Sequence, residues 1–397
     1  MTHLSDRINR LSEPQTIAMA RKSRELIAQG IDIISLSLGE PDFKTPDAVK
    51  AAAHAAIDND FSYYTHVSGY LELREAVAEK FRRDNGLHYT AEQIVVSTGA
   101  KQSIANAVLS LINPGDEVII PMPFWVSYIE LVKLAEGIPV LLPTTIETNF
   151  KVTPEQVAAA ITPNTRLFMF STPCNPSGTV YSKDELRALA EVIAKQPECY
   201  ILSDEIYEHI NFVGGHESMA QFDFIYDRTI TISGVSKGFA MTGWRGGILA
   251  GPKWVAQACD KMQGQFTSAT SSITQKAMHA AMLMDPASTY TMRDAFMRRR
   301  NLVVEGLSQI PGLQVNKPDG AFYVFPKVTA FFGKTDGQTT IQSGTDLCMY
   351  LLDKAHVAGV PGSAFGDDNY IRLSYATSDE KLIEAVRRMK EALAKLK

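Results

Sequence analysis

The stretch TISGVSKGFAMTGWRGG, Thr231–Gly247, sets one lysine and one arginine into a turn otherwise made of small, hydroxyl-bearing and glycine residues. Thr229, Ile230, Thr231 and Ile232 read as a β-branched strand that Gly234 ends, so Lys237 follows a strand's carboxyl end with Ser233 and Ser236 nearby. Arg245 comes eight residues later, between Gly243–Trp244 and Gly246–Gly247. A lysine that can shed its charge when desolvated suits imine formation with a carbonyl, and a permanently charged planar guanidinium suits a phosphate. An aldehyde bearing a phosphate, pyridoxal 5′-phosphate, calls for both. A surface lysine beside a solvated arginine is the competing explanation for so short a pattern.

Outward from this turn, short apolar runs alternate with helical stretches: IVVS (94–97) before GAKQSIANAVLSLI, EVIIP (117–121) before FWVSYIELVKLAEG, RLFMFS (166–171) before KDELRALAEVIAKQ, then CYILSDE (199–205). This alternation predicts right-handed βαβ crossovers and a mostly parallel sheet, with active-site residues at the strands' carboxyl ends. Chemistry-bearing residues fall there. Thr98–Gly99–Ala100–Lys101 is a small-residue turn into a helix whose free N–H groups suit a phosphate; it lacks the dinucleotide glycine fingerprint and the P-loop pattern. Trp125 follows EVIIP and is either a core aromatic or a platform for a flat ring. STPCNPSG (171–178) has two X-Pro steps, which a structural turn explains, and Asn175, which it does not require. Asp204 ends an apolar strand, where a carboxylate is costly unless paired, and Tyr207 lies three residues on.

Elsewhere, Gln15 to Gln29 reads as a helix, LGEPDF (38–43) as a loop in which Gly39 permits close backbone approach, and Thr45–Pro46–Asp47 as an N-cap followed by proline at the first helical position. Leu73, Val77 and Phe81 mark a helix face. The strand–helix rhythm fades after Gly251. A long helix over about 287–307 leads to PGLQVNKPDGAFYVFPKV, expected as paired strands, and to YIRLSYAT (370–377), an alternating strand carrying Arg372. Arg298–Arg300 are expected on a solvated helix face.

Taken together, SGVSKGFAMTGWRGG, LGEPDF, the Tyr64-x4-Gly69 spacing, N-P-S-G, Asp204–Tyr207 and YIRLSYAT resemble fold-type I aminotransferases of class I, nearest the bacterial aspartate aminotransferase subgroup that includes aspartate/prephenate enzymes. The resemblance runs from about residue 4 to 395. It implies an α/β large domain (46–290) with a mixed, mostly parallel seven-stranded sheet flanked by helices, a small α+β domain (291–397), and an N-terminal arm (1–45) that joins the latter. Pyridoxal 5′-phosphate is the implied cofactor. Lys237 would join it covalently and act as base. Ser236, Arg245, Gly99, Ala100, Lys101 and a partner subunit's copy of Tyr64 would hold the phosphate. Trp125 would stack on the ring, Asp204 keep its nitrogen protonated, and Tyr207 and Asn175 bond its 3′-oxygen. Gly39, Trp125, Asn175 and Arg372 would meet the substrate, Arg372 through the α-carboxylate.

Composition agrees with a globular enzyme and narrows its partners. The 397 residues are 45% apolar and 21% charged, enough for two cores, and the net charge of −5 offers no footprint for nucleic acid or an anionic membrane. Four scattered cysteines suggest neither disulfides nor zinc, and no stretch approaches the roughly 18 apolar residues of a membrane span. A cytoplasmic homodimer acting on an amino acid and a 2-oxo acid is expected. Aspartate with 2-oxoglutarate is the first choice, ahead of prephenate, aromatic or alanine-type substrates. A β-lyase or decarboxylase, or a non-catalytic domain of the same fold, are the alternatives. The subgroup often offers two lysines to a substrate's second carboxylate; here Ser12 and Leu109 stand in their places, leaving Gln15, Thr16 and Lys101 as candidate contributors.

Overall fold

The computed structural model describes residues 4–12 and 15–397; the side chains of 15–18 and 20, among them the candidates Gln15 and Thr16, lie outside the described set. Seven strands, β1 (Ile94–Thr98), β2 (Glu117–Pro121), β3 (Ile138–Leu142), β4 (Thr165–Ser171), β5 (Tyr200–Asp204), β6 (Thr229–Gly234) and β7 (Gly246–Ala250), form one sheet in the order β1-β7-β6-β5-β4-β2-β3. Only β7 runs antiparallel to its neighbours, making this the mixed, mostly parallel seven-stranded sheet that was expected. Both faces are covered, which is why the strands read as continuous apolar runs. The period of two separates the faces: Val95, Val118, Ile120, Leu167, Met169 and Leu202 share one core with helix Ala100–Leu111. Ile94 and Val96 instead meet helices Asp47–Asp58, Leu71–Lys80 and Ser272–Leu283, while Ile119, Phe168, Phe170 and Ile201 meet helix Lys183–Ile193. That last helix starts at a reciprocal capping box between Ser182 and Glu185.

A further core joins the chain's two ends. Ile34 and Leu36 lie with helices Tyr290–Ser308 and Asp379–Leu393, with Ile34–Ser35 pairing in parallel with Val357–Ala358. Ile371–Ser374 sits between Val360–Pro361 and Tyr323–Val324, antiparallel to both. Ile206, Tyr207 and Ile210 belong to the same core, so this end of the molecule is packed onto the turn after β5.

Four local expectations are corrected. Thr45 does not cap the helix: its hydroxyl donates to the Ala240 carbonyl (2.9 Å), and Pro46 is the N-cap residue. Within the stretch 311–328 there is one backbone bridge, Gln314 to Lys327, because the Asn316 side chain takes the Phe325 N–H (2.9 Å) and Tyr323–Val324 pairs with Leu373–Ser374 instead. The strand at Arg372 is buried on both faces and does not alternate. Of Arg298–Arg300, only Arg298 faces solvent: Arg299 is buried in a bidentate pair with Asp42 (2.7 and 2.9 Å), and Arg300 is buried against the Pro318 carbonyl (2.7 Å).

Candidate active site at the carboxyl edge of the sheet

Parallel strands deliver their carboxyl ends to one edge, and the residues following β1, β2, β4, β5 and β6 therefore assemble there. Arg245 reaches the same edge from the other direction. It precedes β7, which is antiparallel, so the start of β7 lies beside the ends of its neighbours: Gly246 is opposite Thr98, and Gly247 opposite Gly234. Arg245 adopts a left-handed backbone, φ +59°, and its guanidinium lies over Gly99, where an added Cβ would come within 2.2 Å of Nη2. Gly99 (φ +86°) leaves the first turn of helix Ala100–Leu111 without a side-chain cap, so the N–H groups of Ala100 and Lys101 and the positive end of the helix open beside that guanidinium.

A cavity of about 450 Å³ occupies this edge, roofed by the loop around Gly39 and by the C-terminal strand. Lys237 lines it and donates from Nζ to the Gly39 carbonyl. Burial pushes the Lys237 pKa down to about 8, with Arg372 and Arg245 adding to the fall and Glu40 and Asp204 opposing it. Asp204 sits 5% exposed at the floor; its Oδ2 accepts the Tyr128 hydroxyl (2.7 Å) and its Oδ1 the Ile206 N–H (3.3 Å). Burial raises its pKa to about 6 against those two hydrogen bonds. Tyr207 shares a 2.8 Å hydroxyl contact with Tyr323, and burial holds its phenol well above the ordinary value.

Arg372 is 3% exposed and is gripped from two sides: Nη1 donates to Asn175 Oδ1 (3.0 Å) and Nη2 to the Ser37 carbonyl (2.7 Å). Its Nε is buried without a partner among the described residues. Trp125 lines the wall, with Lys101 Nζ 5.1 Å from its ring centroid, and burial followed by Arg245 lowers the Lys101 pKa. Ser236 also lines the cavity.

Of the candidates, the structure brings Gly39, Ala100, Lys101, Trp125, Asn175, Asp204, Tyr207, Ser236, Lys237, Arg245 and Arg372 to one cavity, with Gly99 directly behind Arg245. Tyr64 lies elsewhere, 99% exposed beside the 83% exposed Tyr63. Of the lining residues that were not anticipated, three bear most on the site. Tyr128 could have been found, three residues after Trp125 in the first turn of helix Ser127–Leu134, its ring edge-on to the Trp125 ring at 5.5 Å. Tyr323 had no signal: its hydroxyl lies so near Gly39 that a Cβ there would approach it to 2.5 Å. Arg24, on helix Gln15–Ala28, had none either.

These features have counterparts in known proteins. A family model described as aminotransferase class I and II matches residues 31–389. Over the full length of both chains there is 47% identity to the aspartate/prephenate aminotransferase of Cereibacter sphaeroides. A bifunctional aspartate aminotransferase and glutamate/aspartate-prephenate aminotransferase of Petunia hybrida is 45% identical, over 99% of this chain and 83% of that one. Among solved structures, the aspartate aminotransferase of Rhizobium meliloti superposes with a TM-score of 0.96 at 42% identity, covering all of both chains. The Thermus thermophilus aspartate aminotransferase with maleate gives 0.93 at 40% identity, over 99% of this chain and 100% of that one.

Proposed function

The chain belongs to the aminotransferase class I and II family, whose enzymes depend on pyridoxal 5′-phosphate, and from that premise we propose that it exchanges the amino group of L-aspartate with 2-oxoglutarate. The observation that carries this reading is a single cavity in which a charge-depressed lysine, a buried carboxylate and a buried arginine with an unused N–H converge.

The residues present fit the cofactor. Arg245, Ser236 and the first-turn N–H groups at Ala100 and Lys101 suit its phosphate, over a Gly99 that tolerates no side chain. Asp204, whose carboxylate is buried with only neutral donors, suits a protonated ring nitrogen. Trp125 can cover a ring face, and Asn175 and Tyr207 can bond a ring oxygen. When bound, the cofactor supplies an aldehyde for the substrate amine and a ring that draws electrons from the substrate Cα.

The chain's own groups do the rest. Arg372 binds the α-carboxylate, and its two anchors, Asn175 and Ser37, hold the guanidinium plane so that the Cα–H is presented in one orientation. Lys237 Nζ, deprotonated for part of the time near neutral pH because its pKa is about 8, would take the Cα proton and, as the ammonium, would give the same proton to the carbon that the bound cofactor supplies as its aldehyde. Asp204 would stay anionic, its charge balancing a proton held on the cofactor's ring nitrogen.

Further parts of the reading concern assembly. We take 46–290 as the cofactor-binding domain, with 1–45 and 291–397 forming the small domain and arm, and the working form as a cytoplasmic homodimer in which Tyr64 serves the partner's site. The exposure of Tyr63 and Tyr64 supports the dimer; no helix among the described residues is long and apolar enough to cross a membrane. Prephenate is the second acceptor to test, since the Cereibacter sphaeroides relative carries it in its name. The deciding experiment is kcat/KM for a panel of amino donors with 2-oxoglutarate and of 2-oxo acids with aspartate. Aspartate should lead the donors. Carbon dioxide or ammonia release without amino transfer to an oxo acid would overturn the proposal.

A further inference from the structure

Five cationic side chains line the cavity, and four have evident employment. Lys237 is bonded to the Gly39 carbonyl, Arg245 to the Thr242 carbonyl (2.8 Å), and Arg372 to Asn175 and Ser37, while Lys101 lies over Trp125. The fifth is Arg24. It is exposed, projects to the cavity from helix Gln15–Ala28, and has no hydrogen bond or ion pair among the described residues.

We propose that Arg24 binds the distal carboxylate of dicarboxylic substrates and so sets the preference for them over monocarboxylic ones. This inference rests on the aspartate reading above. A substrate held by its α-carboxylate on Arg372 carries its second carboxylate into the same cavity, where a facing guanidinium can take it with two parallel hydrogen bonds. Glu40 lies at the same cavity and accepts the Thr242 hydroxyl (3.3 Å), and the cation whose charge it supports, Lys237, is committed to the reacting centre, so a distal carboxylate calls for a further cation. Lys101 is also without a hydrogen bond or ion pair among the described residues, but it lies over the Trp125 ring (5.1 Å), and the positions of Ser12 and Leu109 supply no cation. Ser12 is an exposed loop residue whose N–H is taken by Glu130 Oε2 (2.9 Å), and Leu109 packs beside the apolar core of Val95 and Ile104. Arg24 is a planar bidentate donor already directed at the space and free to engage.

The test uses the holoenzyme and its Arg24→Leu and Arg24→Lys variants. Kinetics with aspartate and 2-oxoglutarate are compared with kinetics for alanine and pyruvate, and maleate binding is measured by calorimetry. Arg24→Leu should raise KM for the dicarboxylic pair by roughly tenfold with kcat held, as loss of binding common to ground and transition states requires. The dicarboxylic-to-monocarboxylic ratio of kcat/KM should fall by a similar factor, maleate should weaken in parallel, and Arg24→Lys should recover part of each. An equal loss for both substrate classes, or unchanged dicarboxylate kinetics and maleate affinity, would overturn the assignment. A wild-type enzyme that prefers monocarboxylic donors would overturn the aspartate reading instead, and maleate affinity across the three proteins would still decide the role of Arg24.

Discussion

At the scale of single residues, burial works against the ordinary charge of both Lys237 and Asp204. Asp204 shows the cost. Its carboxyl has a pKa of about 6 in the folded chain against 3.8 ordinarily, so folding without cofactor favours the protonated form. That contribution to stability is complete below pH 3.8 and is lost as pH rises through 6. Asp204→Asn should therefore make the cofactor-free protein more stable than wild type above pH 6, by up to about 3 kcal/mol, with the difference closing toward pH 4. Thermal melts of both proteins at pH 4 and pH 8 check this. An equal difference at the two pH values would show that Asp204 gains nothing from its proton. The same substitution should slow turnover of the holoenzyme, because the amide cannot hold a positive ring nitrogen.

At the scale of elements, the segment Asp204–His209 is divided between two tasks. Asp204 and Tyr207, three apart, face the cavity, and Glu205 and Glu208, also three apart, face away from it. Glu205 accepts from Ser203 (2.8 Å), Ser218 (2.8 Å) and His216 (2.8 Å). Glu208 accepts from Ser233 at the end of β6 (2.7 Å), from Asn85 (3.0 Å) and from the buried ammonium of Lys80. His209 lies against Gly238, where a Cβ would approach its ring to 2.4 Å, so the residue after Lys237 is fixed from behind. Removing one partner of a buried ion pair leaves the other charged and unpaired. Glu208→Ala should cost about 3–5 kcal/mol in denaturant unfolding, and adding Lys80→Met should recover much of that. If the double variant is no more stable than the single, the stranded ammonium is not the cause.

At the scale of the whole molecule, the proposed dimer would cover the exposed Tyr63–Tyr64 pair. Sedimentation should give a species of twice the 43.7 kDa chain mass. A stronger check mixes two inactive proteins, Lys237→Ala and Tyr64→Ala, through reversible dissociation. If Tyr64 serves the partner's site, a mixed dimer contains one intact site and activity returns on mixing; if each tyrosine serves its own chain, mixing restores nothing.

Much of this was legible in the linear sequence because the physics involved is local. The strand–helix alternation from Ile94 to Ala250 encodes a sheet covered on both faces, and a parallel sheet collects the residues after Thr98, Pro121, Ser171, Asp204 and Gly234 at one edge. The antiparallel entry of β7, which places Arg245 beside Gly99, is a matter of topology, and only the family resemblance anticipated its result. What the tertiary structure alone decided are relations between residues far apart in the chain: Tyr323 against Gly39 and Tyr207, Arg372 between Asn175 and Ser37, Arg299 on Asp42, and Arg24 at the cavity. Periodicity and turn chemistry report what lies within a few residues along the backbone. Which distant side chain fills a space or takes a donor depends on how the packed elements meet, and no local pattern carries that information.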